Sequence, residues 1–208
     1  MWIVKLGGSW ISNPNLRKLI TNLYFYRSVP LLIVPGGGKF VDAIRYAHKY
    51  IQFEEQLAHQ LSVKSTEIYA KILKNISPYD VKFIRNISKL DTKKRLNIFL
   101  SYNQLLKDRS IPKTWNTTSD TIACWLGKKI KCTGILFIKS ISYENMKKPD
   151  IFDLQKSGIL DKNVHNYISE SIKLKLAGPE IVEKLSRKNG WDKLMSSLTE
   201  IKWKRKKK

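Results

Sequence analysis

Residues 30–45 read Pro-Leu-Leu-Ile-Val-Pro-Gly-Gly-Gly-Lys-Phe-Val-Asp-Ala-Ile-Arg. The apolar run Leu31–Val34, closed by Pro35 and three glycines, marks a buried strand that ends in a turn. Apolar residues then recur at Phe40, Val41, Ile44, Ala47 and Tyr50, the spacing of one helix face. Upstream, Trp2–Leu6 is a second apolar run, interrupted by one lysine and ended by Gly7-Gly8. Between the two runs, Ser12-Asn13-Pro14 predicts a helix start with Asn13 as the cap, and Leu16, Leu19, Ile20 and Leu23 supply its inner face. Strand, helix, strand, glycine turn and helix within about fifty residues specify a parallel βαβ unit.

The same reading extends along the chain. A long helix is expected over 54–74, with Leu57, Leu61, Ile68 and Ile72 facing inward. Strands are expected at Val81–Ile84, Leu96–Leu100 and Gly134–Ile138, and a short helix at Tyr102–Lys107. Ser119-Asp120 reads as the cap of a helix running to Lys128. Residues 142–162 are polar, contain Pro149 and Gly158, and read as an excursion or lid. Tyr167–Leu176 supplies a last strand, and Gly178-Pro179-Glu180 opens a final helix. The expected fold class is α/β: a three-layer αβα sandwich with a largely parallel central sheet. One domain should occupy 1–200, followed by a basic carboxyl-terminal tail, 201–208.

Composition narrows the function. The 208 residues are 42% hydrophobic and 11% aromatic, too apolar for a disordered polybasic chain. The formal net charge is +22, of which six charges lie in the tail, leaving +16 on the rest. Such a balance admits nucleic acid or an anionic membrane as partner. Here, however, the basic residues are mostly lysines scattered among Ile, Asn and Tyr, which reads as a solvated basic surface, so nucleic acid is not the partner these features favour. Cys124 and Cys132 cannot form a disulfide scaffold and fit no zinc spacing, so a reduced compartment and no metal site are expected. No run approaches the ~20 apolar residues that span a bilayer, and the amino terminus lacks a signal-peptide pattern, so a cytoplasmic protein without membrane contact is expected.

Two glycine turns then stand at the carboxyl edge of neighbouring strands, where open α/β sheets bind ligands. Glycine allows close backbone approach to a phosphate, and a helix amino terminus adds N–H donors and a favourable dipole. Lys5 is a charge within an apolar strand immediately before Gly7-Gly8; buried, it needs a partner that a phosphate oxygen supplies. The Walker A spacing is missing, with Phe40 where that loop needs Ser or Thr, and G-x-G-x-x-G is absent as well.

Val4-Lys5-Leu6-Gly7-Gly8-Ser9, Ile33-Val34-Pro35-Gly36-Gly37-Gly38 and Thr118-Ser119-Asp120 together resemble the amino acid kinase superfamily, which includes acetylglutamate, aspartate and uridylate kinases. The resemblance covers about residues 1–140, with an echo at 178–180. Residues 36–45 and 111–126 look most like small kinases related to the archaeal enzyme that acts on an aminomethylfuran phosphate, linked to tetrahydromethanopterin metabolism. The resemblance implies ATP, with Mg2+ carried by the nucleotide, and direct γ-phosphoryl transfer to a small anionic acceptor. It implies that Lys5 contacts the transferred group, that Asp120 orients the lysines, and that a second cation, assigned to Lys139, stabilises the leaving phosphate. Gly7, Gly8 and Ser9 would bind phosphate, and Gly36, Gly37 and Gly38 the acceptor, with Asp42, Arg45 and His59 lining its pocket. It also implies a homodimer through the 54–74 helix. The chain departs from the family where Ser140-Ile141-Ser142-Tyr143 replaces an Asp-Gly-Val-Tyr-like segment of the nucleotide site, and where Asn116 replaces an Asp. Two readings of other kinds remain beside the kinase: a non-catalytic nucleotide- or anion-binding member of the fold, and an RNA-associated basic protein using the tail.

Overall fold

The apolar runs read above become strands in the computed structural model, which describes residues 1–26, 29–90, 92–93, 96–187 and 189–203. The strands are β1 (Trp2–Leu6), β2 (Leu31–Pro35), β3 (Lys82–Ile84), β4 (Leu96–Phe99), β5 (Gly134–Ile138), β6 (Lys173–Ala177) and β7 (Thr199–Glu200). They form one sheet in the order β3-β4-β2-β1-β5-β6-β7, parallel throughout except for the β6–β7 pair. The helices are α1 (Leu16–Phe25), α2 (Lys39–Ile51), α3 (Glu55–Ile76), α4 (Tyr102–Lys107), α5 (Ser119–Ile130), α6 (Ile151–Lys156), α7 (Ile181–Ser186) and α8 (Trp191–Ser196). This is an αβα sandwich, as the sequence predicts.

Strand alternation builds the two cores. Trp2, Val4 and Leu6 face one way and pack with α1, α7 and α8. Ile3 faces the other way and packs with α5 and α6. Lys5 shares the face of Ile3, so its side chain is directed toward α5. In register, Lys5 stands between Val34 of β2 and Phe137 of β5, both buried.

Several expectations are corrected. Helix α1 begins at Leu16, because Asn13 Oδ1 accepts the Asn15 N–H and holds Pro14 in a turn. Residues Gly8–Ser12 instead form a 3-10 turn that drives Trp10 into the core. In α3 the apolar stripe points outward: Leu57, Leu61 and Ile68 are 44%, 39% and 46% exposed, and only Ile72 packs against the core. The inward face carries His59, Ser62, Val63 and Thr66 beside the glycine turns, and Tyr69, Ala70 and Leu73 further along in the core. Tyr50 is likewise exposed. Tyr167 lies in a 3-10 turn and its strand starts at Lys173. Helix α8 and β7 follow the expected last helix; at six and two residues they are too short to show a period. Ile201–Trp203 still pack on the domain, with the Ile201 N–H donating to Leu174 and the Lys202 N–H to Pro149; the rest of the basic tail lies outside the described residues.

Candidate active site

Three charged side chains meet at the carboxyl end of β1. Lys5 Nζ is 2.7 Å from Asp120 Oδ1, and Lys139 Nζ is 2.7 Å from Asp120 Oδ2. Asp120 is 2% exposed and sits in the first turn of α5; Thr118, not Ser119-Asp120, is the N-cap. A carboxylate there also gains from the helix dipole. Burial works against its charge, but the two lysines outweigh that and hold its pKa below the usual carboxylate range. Burial likewise opposes the charge on Lys5, and Asp120 with a second carboxylate, Asp161, more than offsets it, so the pKa of Lys5 is raised. For Lys139 the balance falls the other way: burial, then repulsion from Lys5, lower its pKa against the pull of Asp120. The Lys139 carbonyl accepts the indole N–H of Trp10 at 2.9 Å, which ties β5 to the turn after β1.

The two glycine turns pack on each other. A Cβ on Gly8 would lie 2.0 Å from the Gly38 nitrogen, and one on Gly36 2.5 Å from the Gly8 nitrogen. Gly38 also takes a positive φ of 54°, open to glycine at little cost, as the N-cap of α2. The family resemblance implies that Gly7, Gly8, Gly36 and Gly37 bind ligand through their backbone N–H groups. That is corrected for two of them: Gly7 donates to the Ile138 carbonyl at 2.9 Å and Gly36 to that of Leu6 at 2.8 Å. Both bonds extend the sheet.

A cavity of about 510 Å3 opens beside these turns. Gly8, Ser9, Gly36, Gly37 and Gly38 form one wall. Asp42 and Arg45 stand at its rim, more than half exposed and paired with each other at 3.3 Å. His59 lies on the α3 wall and Trp115 on the loop before α5. The candidate residues thus fall into two groups, the buried lysine–aspartate bridge and the lining of this cavity.

Asp161, which the sequence reading did not single out, also lines the cavity. It comes from the end of the polar 142–162 stretch, and its Oδ2 accepts the Thr121 N–H of α5 at 3.4 Å. Gln155 steadies it by donating to the backbone carbonyls of Asp161 and Lys162, while His165 bonds the Gln155 side-chain oxygen. The one hint in sequence is Ile159-Leu160, an apolar pair in a polar stretch, of which Leu160 is buried. Burial, then the Asp120 charge, push the Asp161 carboxyl up to about 6. A carboxyl raised in the folded state stabilises the fold at low pH, and that contribution fades as pH rises through 6. Asp161→Asn is therefore expected to raise the melting temperature relative to wild type, with a gain that grows from pH 4 to pH 7. Equal pH profiles in thermal denaturation would show an ordinary surface carboxyl instead.

A profile of the amino acid kinase family matches residues 1–150. The chain belongs to the amino acid kinase family. A relative from Methanocaldococcus jannaschii, [5-(aminomethyl)furan-3-yl]methyl phosphate kinase, is 28% identical over 146 residues, which cover 68% of this chain and 66% of that protein. UMP kinase from Ureaplasma parvum superposes with a TM-score of 0.65 at 16% identity, covering 97% of this chain and 98% of that one. Uridylate kinase from Archaeoglobus fulgidus gives a TM-score of 0.64 at 17% identity, covering 91% and 96%. These two show the fold that the family member shares.

Proposed function

We propose that this family member is an ATP-dependent kinase that transfers the γ-phosphoryl group directly to a small phosphate-bearing acceptor, with an aminomethylfuran phosphate as the first candidate. The observation that carries the reading is the Asp120 carboxylate bridging Lys5 and Lys139 at 2.7 Å each. Two ammonium groups fixed side by side suit a reaction whose main requirement is to position a phosphoryl group and neutralise its charge. In this reading Lys5 contacts the oxygens of the moving group and Lys139 those of the leaving phosphate. The Gly8 and Gly37 N–H groups and the Ser9 hydroxyl hold phosphate, and Asp42, Arg45 and His59 line the acceptor pocket. The bond from the γ-phosphorus to the β–γ bridging oxygen breaks, and a new one forms to an acceptor phosphate oxygen. That oxygen is already largely ionised at pH 7, since the second phosphate pKa is near 6. No general base is then needed, which agrees with an Asp120 locked between two cations.

Magnesium enters as part of the substrate, MgATP. The reading places the enzyme in the cytoplasm, as one catalytic domain over 1–200 with a basic tail beyond. No described helix is long and apolar enough to cross a membrane.

The decisive assay supplies MgATP with [5-(aminomethyl)furan-3-yl]methyl phosphate and follows ADP and the diphosphate product. Acceptor-dependent ADP release supports the kinase. Calorimetric ATP binding without such release, across a panel of phosphate monoesters, would favour the non-catalytic binding member instead.

The reading also includes a homodimer. The outward stripe Leu57, Leu61 and Ile68 on α3 adjoins Tyr46, Tyr50 and Ile51 on α2, all exposed. Apolar side chains clustered in this way mark association surfaces. The double substitution Leu61→Lys, Ile68→Lys is expected to halve the sedimenting mass without unfolding the chain. A wild-type protein that already sediments as a monomer at high concentration would remove the dimer from the reading.

A further inference from the structure

The α3 wall of the cavity carries polar groups that the fold itself does not satisfy. His59 is 4% exposed, and apart from the Thr117 backbone no protein group partners its ring nitrogens. The Thr117 backbone approaches one side of the ring from the loop before α5. Ser62, one turn further along α3, is 9% exposed, lines the same cavity, and its hydroxyl is also unpartnered. A buried polar group without a partner costs free energy that an apolar residue of similar size would avoid. The groups packed around His59 are Glu55 on its own helix and Lys113 and Thr117 on the facing loop. Burial first, then Lys113, lower the imidazole pKa, so at neutral pH the ring is uncharged and carries one N–H and one free lone pair.

The same cavity has an aromatic lining residue. Trp115 lines it, with the Arg45 guanidinium 5.7 Å from the indole centroid and Glu55 accepting the Trp115 backbone N–H at 3.1 Å. The glycine cradle lines the same cavity. A ligand that lies against Trp115 with its phosphate at the glycines would share this cavity with His59 and Ser62.

We propose that His59 is a specificity-determining residue, accepting a hydrogen bond from an amine or hydroxyl on a small planar phosphate ester. The proposal rests on the kinase reading above, since it assigns the acceptor to this cavity. A neutral imidazole lone pair takes such a donor, whereas an acceptor ending in a methyl group leaves His59 unsatisfied. Sites built to bond a donor reject analogues lacking it more strongly than apolar pockets reject an extra methylene.

The test compares two probes, [5-(aminomethyl)furan-3-yl]methyl phosphate and (5-methylfuran-3-yl)methyl phosphate, with wild type, His59→Leu and His59→Gln. Wild type is expected to favour the amine probe in kcat/KM. His59→Leu should lower that value by roughly ten- to a hundredfold for the amine probe while sparing the methyl probe. His59→Gln, which retains a hydrogen-bond acceptor, should recover part of the preference. KM for MgATP should stay at its wild-type value in both variants, and His59→Leu should melt no lower than wild type, since it removes a largely unpartnered buried polar group. If both probes lose activity equally, or neither does, His59 is a structural residue and the proposal is overturned while the kinase reading stands. Should wild type turn over neither probe, the acceptor assignment fails first and this proposal falls with it.

Discussion

Lys5→Met is expected to leave a folded, nucleotide-binding protein whose phosphoryl transfer is about 10²–10³-fold slower in kcat, the usual cost of removing one fixed charge-stabilising donor. The fold should survive because Asp120 keeps Lys139 as its partner at 2.7 Å, and because Met suits a strand position flanked by Val34 and Phe137. The loss should appear in kcat rather than in the KM for ATP, since a group that contacts the moving phosphoryl acts most strongly in the transition state. Single-turnover measurement with saturating MgATP and acceptor separates the two. Wild-type kcat in this variant would sink the mechanism, because no other described cation lies so far inside β1.

Asp120→Asn should be worse in a different way. It leaves Lys5 and Lys139, whose side chains are only 7% and 16% exposed, facing each other without the intervening charge. Breaking a buried ion pair by removing one partner typically costs about 3–5 kcal/mol. The sign of the pH dependence follows. Without Asp120 the folded state binds lysine protons less tightly than the unfolded chain, so stability relative to wild type recovers as pH rises above neutral. Denaturant unfolding at pH 7 and pH 9.5 should show the deficit shrinking. A deficit that stays constant with pH would mean that the amide replaces the carboxylate by hydrogen bonding alone. Activity should fall at least as far as in Lys5→Met, since both lysines lose their alignment.

Most of the sheet was legible because buried parallel strands show as unbroken apolar runs closed by turn residues, as in Leu31–Pro35 and Gly134–Ile138. Lys5 stood out for the same reason, as a charge where the run permits none. Asp120 and Lys139 were legible as types of residue at element ends, and the geometry joins them to Lys5. The orientation of α3 was not legible. Its sequence-apparent apolar stripe lies on the surface, while its inner face joins His59, Ser62 and Thr66, which line a cavity, to Tyr69, Ala70 and Leu73, which enter the core. The glycine N–H groups could not be apportioned without register, since only the pairing of β1 with β2 and β5 commits Gly7 and Gly36 to the sheet. Asp161 is hidden by its distance in sequence: Ile159-Leu160 hints that its segment packs on the domain, and only the fold brings it to the amino terminus of α5.

The wide separation of Lys5 from Asp120 along the chain bears on how the protein is made. Synthesis proceeds from the amino terminus, so β1, with its buried ammonium, leaves the ribosome long before α5 exists. Until residue 120 emerges, closing the sheet over Lys5 would bury a cation with no counter-ion. The neighbouring strand β5, which flanks Lys5 on its other side and leads directly into Lys139, arrives later still. The lysine–aspartate bridge is therefore expected to form late in folding. A chain stalled before α5 is expected to hold β1 open to water, and the bridge between Lys5, Asp120 and Lys139 would then be the event that commits the sheet to close.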